Sequence, residues 1–478
     1  MLGQEGKKKL ASKVLPVPRL KRNSLSIVDV AASTMANIAP AMSFYFSFGL
    51  IAATSGVAAP ITIIIAALAI GLLGNSITEF SKYSPSTGSF VTFIGKGFGP
   101  ISAISTAISI GAGYILAMGA VVVISGGWAS SILAKYLSLQ IPWQLLTVIF
   151  SILAVILMVS GVKISTRWAA IFFAFEMLVL VVGSILMLIT HPNAINLKPF
   201  NPSQLLKGFS GISLGFPLAI FLFIGWENSA ALAEETQDPR KNVGKAIFYG
   251  VLIMTITYVF LSYSTVVGFS DNLKAVSNSS VPFIEASAKL NAIVLFLAYL
   301  AGFTSIMSSL ISATNSQARI VFNSAREGLL PSWIAKLSIK RQTPVVSIVI
   351  FQSLAVAISF VFGWKTNPVT FFGEIATLGT ILISVAYMVS NLALPSFMFR
   401  YQRNKVNIIR HFILPIIGAL TIAYPLYELI KPGQPSPFDY YPYIAAVIII
   451  ISIIYAGILN AKDKTLGQRV GSILADEE

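Results

Sequence analysis

Hydrophobic residues run along this chain in long, nearly uninterrupted stretches separated by short polar segments. A transmembrane helix needs about 20 mostly apolar residues. Twelve stretches meet or approach that length: roughly 25–53, 58–81, 101–133, 142–161, 168–190, 208–236, 243–268, 290–322, 343–362, 370–397, 411–430 and 443–460. Long alternating strands of the barrel type do not occur, so the pattern predicts an all-α polytopic membrane protein with twelve transmembrane helices.

The composition excludes the main alternatives to a membrane protein. Of the 478 residues, 55% are hydrophobic and only 11% are charged, against roughly 25% charged in a typical soluble protein. A soluble chain of this length would lack the polar residues to cover its surface, and a disordered chain would be rich in charge. Because there are no cysteines, a disulfide scaffold and cysteine-based chemistry are excluded as well.

The net charge of +15 is explained by membrane topology. If the N-terminus is cytoplasmic, 26 of the 33 Lys and Arg residues fall on the cytoplasmic side of the twelve spans, as the positive-inside rule requires. We therefore expect a multi-pass protein of the cell membrane with both termini cytoplasmic. We expect the lipid bilayer, and no nucleic acid, to be its partner.

Two spans carry helix-breaking residues at mid-membrane, in the segments 36–43 (ANIAPAMS) and 221–229 (FLFIGWENS). Proline and glycine weaken a helix, and the two segments lie at equivalent points five helices apart, in the first and sixth spans. The pattern predicts two inverted five-helix repeats, 25–190 and 208–397, with broken helices 1 and 6. Helices 11 and 12 would follow in 411–460, and the tails would be 1–24 and 461–478.

Such breaks have a chemical use. The start of a half-helix offers N–H groups to a carboxylate, and the end of the other half offers carbonyls to a cation. Two antiparallel breaks together would suit a zwitterion. The alternative is a proline kink and a packing glycine without a binding role.

Three stretches resemble motifs of amino acid–polyamine–organocation (APC) permeases. They are EFSKYSPSTGSF at 79–90 with FGP at 98–100, FIGWE at 223–227 with AEE at 233–235 and DPR at 238–240, and AREGLLP at 325–331 with TP at 343–344. The resemblance implies alternating-access transport of amino acids, usually driven by a cation gradient.

The resemblance also assigns substrate-binding positions. The family often has Gly-x-Gly at the helix 1 break, where this chain has Ala41-Met42-Ser43, a departure that changes how a substrate carboxylate could bind. Phe221 falls where the family has an aromatic gate, with lipid- or core-facing packing as the alternative. The expected substrate-binding residues are Ala41, Met42, Ser43, Phe221, Ile224, Gly225 and Glu227.

Two carboxylates lie at membrane depth, where charge is costly and usually functional. Glu227 matches the family's acid at the helix 6 break and either holds the break open or titrates. Glu176 lies where many proton-coupled relatives carry a lysine. The resemblance brings Ser308 and Ser309 to the cation position, and Ser305 shares their helix face. These four residues predict a coupling site for Na⁺ or for a proton; close packing of the serines is the alternative.

Arg319, at the cytoplasmic end of helix 8, is either part of an inner gate, paired with an acid such as Asp29 or Glu79, or a positive-inside anchor. With only two histidines, no resident metal site is predicted.

The sequence thus predicts a secondary active transporter that moves amino acids by alternating access, with cation symport and a weak preference for neutral substrates. An exchanger of amino acids or amines and an amino-acid sensor are the alternatives. We expect no enzyme activity, no cofactor beyond a coupling Na⁺ or H⁺, and no obligatory protein partner.

Overall fold

The computed structural model describes residues 19–209 and 211–473, which are almost entirely helical. In the first half the helices are α1 (Ile27–Ile38), α2 (Pro40–Ser55), α3 (Ala59–Tyr83), α4 (Phe90–Phe98), α5 (Pro100–Leu137), α6 (Trp143–Val159) and α7 (Val162–Thr190). They continue as α8 (Ile212–Phe221), α9 (Asn228–Ala231), α10 (Pro239–Gly268), α11 (Leu273–Asn278), α12 (Pro282–Ala288), α13 (Ala292–Arg326), α14 (Val345–Gly363), α15 (Pro368–Tyr401), α16 (Leu414–Ile430), α17 (Tyr441–Lys462) and α18 (Leu466–Arg469). The outer parts of the two predicted tails, 1–18 and 474–478, lie outside the described residues.

Within the described residues, nine helical stretches are long and apolar enough to cross a membrane. The first of them, Ile27–Tyr83, contains α1, α2 and α3, and α6 is a shorter apolar helix of 17 residues. The protein is therefore a multi-pass membrane protein. The number of twelve crossings and the inverted repeat stay predictions.

The first helix is interrupted at a single residue. A capping box begins α1, because Ser26 and Asp29 each bond the other's backbone N–H. Ala39 then takes a left-handed conformation with φ 51°, and Pro40 starts α2 at a position where a missing N–H costs nothing. The helix changes course between residues 38 and 40, inside the segment that the sequence predicts to be broken.

The sixth predicted span is the least regular. Its first residues are not helical, because Leu206–Phe209 forms a short extended strand, β1, so the prediction of helix from residue 208 is wrong at that end. After α8 ends at Phe221, the chain runs through turns to α9. Gly225 has φ 111°, and a Cβ there would lie 2.7 Å from Asn37 Cγ. The sixth break therefore lies directly against the first.

The broken helices lie inside a ring of long helices. In that ring α5 packs along α15, α13 along α7, and α10 along α3. Helices such as α14 and α17 carry exposed apolar side chains on their outer faces, among them Val361 and Phe362, as expected for surfaces in contact with lipid. The arrangement leaves the two breaks buried at the centre of the protein.

Candidate substrate and cation site

A small cavity of about 20 Å³ lies between the two helix breaks. Five of the residues predicted to bind substrate or cation line it: Met42, Ser43, Phe221, Ile224 and Ser309. A space of this size holds about one water molecule. An amino acid would not fit, so the cavity must widen to admit one.

The remaining walls of the cavity are mostly apolar. Ala117, Met118 and Val121 face it from α5, and Ala313 faces it from α13. Asn37 and Gln317 supply amide groups, and all of the described residues that line the cavity are uncharged. Such a surface complements an uncharged side chain. Neither amide was predicted as a site residue, although Asn37 lies within the sequence pattern of the break.

At the start of α2, the backbone N–H groups are already engaged. The Ala41 N–H donates to Glu176 Oε2 at 3.0 Å, and the Met42 N–H donates to Ser305 Oγ at 2.9 Å. The positive end of a half-helix favours a negative group, and here that group is a carboxylate of the protein itself. A substrate carboxylate approaching the same amides would meet Glu176.

The predicted cation residues are brought together beside this break. Ser308 Oγ lies 3.2 Å from the Ala36 carbonyl oxygen, 2.9 Å from the Ser305 carbonyl oxygen and 3.4 Å from Glu176 Oε1.

Ser309 extends this group of oxygens, because its Oγ lies 3.4 Å from the Asn37 carbonyl oxygen. Ala36 and Asn37 are in the last turn of α1, whose carbonyls lack helical partners. Glu176, Ser305, Ser308 and Ser309 are all buried. The result is a buried cluster of carboxylate, hydroxyl and carbonyl oxygens, the ligand type that hard cations prefer.

The described residues do not form a comparable cluster of the side chains that usually bind a permanently held metal ion. Among the described residues, no group of three or more His, Cys, Asp and Glu side chains could hold a metal ion.

Glu227 lies outside the cavity lining and joins the break after α8 to α5. Its Oε2 accepts the Gly225 N–H at 3.0 Å, and its Oε1 accepts the Tyr114 hydroxyl at 2.8 Å. Ala41 and Gly225 also lie behind the residues that line the cavity. Together with Glu227, they shape the site without lining it. The sequence did not point to Tyr114, because a single tyrosine in an apolar helix carries no spacing signal.

On the predicted outer side, aromatic rings close the cavity. Phe221 packs edge-on against Phe372 with ring centroids 5.3 Å apart, and Phe46 lies 5.3 Å from Phe372 and 5.2 Å from Trp128. These apolar contacts can separate without breaking hydrogen bonds, which suits a movable closure.

On the predicted inner side, the closure is ionic. Arg319, fully buried, donates to both carboxylate oxygens of Glu235 at 2.5 and 3.0 Å. Arg326 pairs with Glu234 at 2.8 Å, and Glu234 also accepts the Leu20 N–H at 2.8 Å. These contacts connect the segment before α1 and the segment after α9 to the end of α13.

The partner of Arg319 differs from the acids named from the sequence. Asp29 instead caps α1, and Glu79 bonds Lys82. The acid that Arg319 binds, Glu235, belongs to the family-like stretch that follows helix 6.

A family model described as "Amino acid permease" matches residues 29–465. The chain belongs to the amino acid permease family. The resemblance to APC permeases is thereby confirmed, and with it the assignment to a family of membrane transporters rather than enzymes.

Three curated relatives match this permease over most of their own length. The Branched-chain amino acid permease BcaP of Bacillus subtilis is 26% identical over 404 residues, which cover 80% of this chain and 82% of the relative. The Methylthioribose transporter of the same organism is 25% identical over 413 residues, 80% of this chain and 83% of the relative. The Putrescine transporter PotE of Haemophilus influenzae is 22% identical over 427 residues, 87% of this chain and 93% of the relative.

Proposed function

We propose that this permease is a secondary active transporter that carries a neutral amino acid inward together with a cation, and that Glu176 couples the two. One observation carries the proposal: the Glu176 carboxylate accepts the Ala41 N–H at the start of α2, where a substrate carboxylate would bind. Cargo and coupling ion would therefore meet at the same group.

The preference for a neutral cargo follows from the cavity. Its walls are apolar apart from Asn37, Gln317 and two serines. A cationic amine or side chain would need a carboxylate in the lining, and an anionic one would need a lysine or arginine. The name of the relative BcaP agrees with a neutral aliphatic cargo. The names of the methylthioribose and putrescine transporters indicate that related permeases carry different cargoes.

The coupling follows from charge. An ionised Glu176 and a substrate carboxylate would repel each other at the same half-helix end, because two nearby carboxylates cannot both remain ionised at low cost. Either a proton on Glu176 or a Na⁺ among the Ser305, Ser308 and Glu176 oxygens would remove that repulsion. Binding of the cation would then favour binding of the substrate, and the substrate would favour the cation by the same factor.

Uptake into proteoliposomes tests this proposal. Labelled branched-chain amino acid is offered under a Na⁺ gradient, a proton gradient or neither, with wild-type protein and Glu176→Gln. We expect one gradient to drive accumulation in wild type, and Glu176→Gln to lose accumulation while it still equilibrates substrate. Glu374→Gln, which neutralises a partly exposed carboxylate at the start of α15, serves as the matched control.

Two results would contradict parts of the proposal. Uptake that requires preloaded internal amino acid, with no effect of either gradient, would identify an exchanger. Accumulation by Glu176→Gln equal to that of wild type would remove Glu176 from coupling.

A further inference from the structure

A second, larger concave surface lies on the lipid-facing side of the permease, away from the substrate cavity. It is a groove of about 670 Å³ between α3, α10 and the residues that begin α16. This volume falls within the range of about 300–1,000 Å³ that is typical of ligand sites. We call it the α3–α10 groove.

The walls of the α3–α10 groove are apolar over nearly the thickness of a membrane. Leu68, Phe248 and Leu252 line it and are exposed. From Ile64 to Lys82, α3 covers about 27 Å at 1.5 Å per residue, close to the ~30 Å of the hydrocarbon core. At Gly71, a Cβ would have no neighbour within 4 Å, so the groove is open at its middle. Its shape fits an extended hydrocarbon chain.

One end of the α3–α10 groove is cationic. The lining residues Lys82 and Arg410 lie at the end predicted to be cytoplasmic, and their side chains are 40% and 60% exposed. Arg410 is held in place through its backbone, because the Asn75 side-chain amide donates to its carbonyl at 2.7 Å. On α10, Lys241 and Lys245 are exposed and share a helix face with Phe248 and Leu252.

The one carboxylate in the lining does not cancel this charge on the outside. Glu79 is only 5% exposed. Its oxygens face Lys82 Nζ at 2.6 Å and His411 Nε2 at 3.2 Å, and Arg410 Nη1 lies 3.8 Å away. The acid therefore lies behind the two cations, and Lys82 and Arg410 remain exposed on the outside.

We propose that the α3–α10 groove is a binding site for an anionic phospholipid of the cytoplasmic leaflet, with the phosphate at Arg410 and Lys82 and one acyl chain along Gly71. The apolar groove and the cationic end match the two parts of such a lipid, and a zwitterionic lipid would gain less from the cationic end. The site is separate from the transport site and does not depend on which amino acid is carried.

Lipid titration of the full-length permease in a neutral detergent tests the proposal. Phosphatidylglycerol or phosphatidylcholine with identical acyl chains is added, bound lipid is counted by native mass spectrometry, and the melting temperature is recorded. We expect tighter binding and a larger rise in melting temperature with phosphatidylglycerol. The double variant Lys82→Gln/Arg410→Gln should weaken phosphatidylglycerol binding on the order of tenfold, since each basic residue near an anionic surface contributes strongly.

Two further variants distinguish a site from general surface charge. Lys336→Gln/Lys340→Gln removes two exposed cations from the same predicted side but outside the groove, and should leave phosphatidylglycerol binding unchanged. Gly71→Leu fills the groove without changing charge, and should weaken binding of the lipid. Equal binding of the two lipids by wild type, or equal losses in the two charge variants, would overturn the proposal. Unchanged binding by Gly71→Leu would overturn the placement of the acyl chain.

Discussion

Glu176 is the residue on which both halves of helix 1 converge. One of its oxygens accepts the Ala41 N–H of α2, and the other lies 3.4 Å from Ser308 Oγ, which in turn is 3.2 Å from the Ala36 carbonyl of α1. A change of charge on this one side chain therefore acts on both half-helices. A lysine at this point could not accept the Ala41 N–H, so this contact depends on an acceptor such as the Glu176 carboxylate.

At the residue scale, Gly225 gives the sharpest prediction. Any side chain there must adopt φ 111° and place its Cβ 2.7 Å from Asn37 Cγ. The backbone conformation alone costs roughly 1–2 kcal/mol for a residue other than glycine. We expect Gly225→Ala to lower both the melting temperature and uptake, because it pushes the two breaks apart.

The control for this prediction is Gly111→Ala, since Gly111 is a helical glycine of α5 whose Cβ would meet nothing within 4 Å. Melting curves and initial uptake rates are compared for both variants. Equal effects of the two substitutions would show that contact between the breaks is unimportant.

At the element scale, the predicted helices and the structure agree where hydrophobic length decides the outcome. Among the described residues, helices lie in each of the twelve predicted stretches, the sixth being interrupted between α8 and α9, and the first break falls inside 36–43. Helix length and breaking residues are local properties, so they can be read from one chain. The strand at Leu206–Phe209 and the pairing of Arg319 with Glu235 could not be predicted, because each depends on contacts between distant segments.

The same limit applies to the site. The serine spacing and the resemblance were enough to predict that Glu176, Ser305, Ser308 and Ser309 lie close together. The cavity itself depends on side chains from five helices, to which Gln317 contributes through tertiary packing alone. The contact of Tyr114 with Glu227 behind the lining likewise depends on tertiary packing.

The inner ionic closure gives a second prediction. Removing one partner of a buried ion pair lowers stability by about 3–5 kcal/mol. Glu235→Gln should therefore weaken the contact between the segment after α9 and α13. The native chain has no cysteine, and Ala313→Cys would place a thiol in the cavity wall. We expect Glu235→Gln to speed labelling of that thiol by a membrane-impermeant reagent from the predicted cytoplasmic side. Glu285→Gln is the control, and unchanged labelling in Glu235→Gln would mean that this pair is not part of the closure.

A third prediction concerns the segment after α17, which folds back over the end of α13. The Ile473 carbonyl accepts the Ser86 hydroxyl at 3.2 Å. Burial raises the pKa of Glu327 to about 7, although the Gly471 N–H, the Asn323 amide and the Arg326 and Lys96 cations act in the opposite direction. The folded protein therefore holds this proton more tightly than the unfolded chain, in which an ordinary Glu pKa applies.

Protonated Glu327 therefore stabilises the folded protein. This stabilisation is lost as the pH rises from about 4.5, the ordinary pKa, through about 7, the pKa in the folded protein. We expect the melting temperature of wild type to fall as pH rises from about 4.5 to about 7, and this fall to be smaller in Glu327→Gln. An identical pH dependence in the two proteins would contradict the assignment.

At the scale of the whole molecule, the distribution of Lys and Arg predicts orientation. Single thiols introduced at the exposed positions Lys340 and Lys365 should report opposite sides of the membrane. We expect Lys340→Cys to be labelled only from the cytoplasm and Lys365→Cys only from outside. Labelling of both from one side would contradict the predicted topology.

At this scale, the described residues place aromatic contacts on one side of the cavity and the pair of Arg319 and Glu235 on the other. Between them the cavity is too small for an amino acid. Alternating access would require the contacts on one side to open at a time. In the proposed mechanism, the charge of Glu176 would control whether a substrate carboxylate can bind at the break.

The most direct measurement of this account is the equilibrium affinity for the neutral amino acid that wild type transports, determined by calorimetry across a range of pH and Na⁺ concentration. Wild type should bind more tightly as either the proton or the Na⁺ concentration rises. Glu176→Gln should bind with an affinity that no longer responds to that cation, because the repulsion at the half-helix is absent. An affinity in Glu176→Gln that still rises with the same cation, as in wild type, would contradict the proposed role of Glu176.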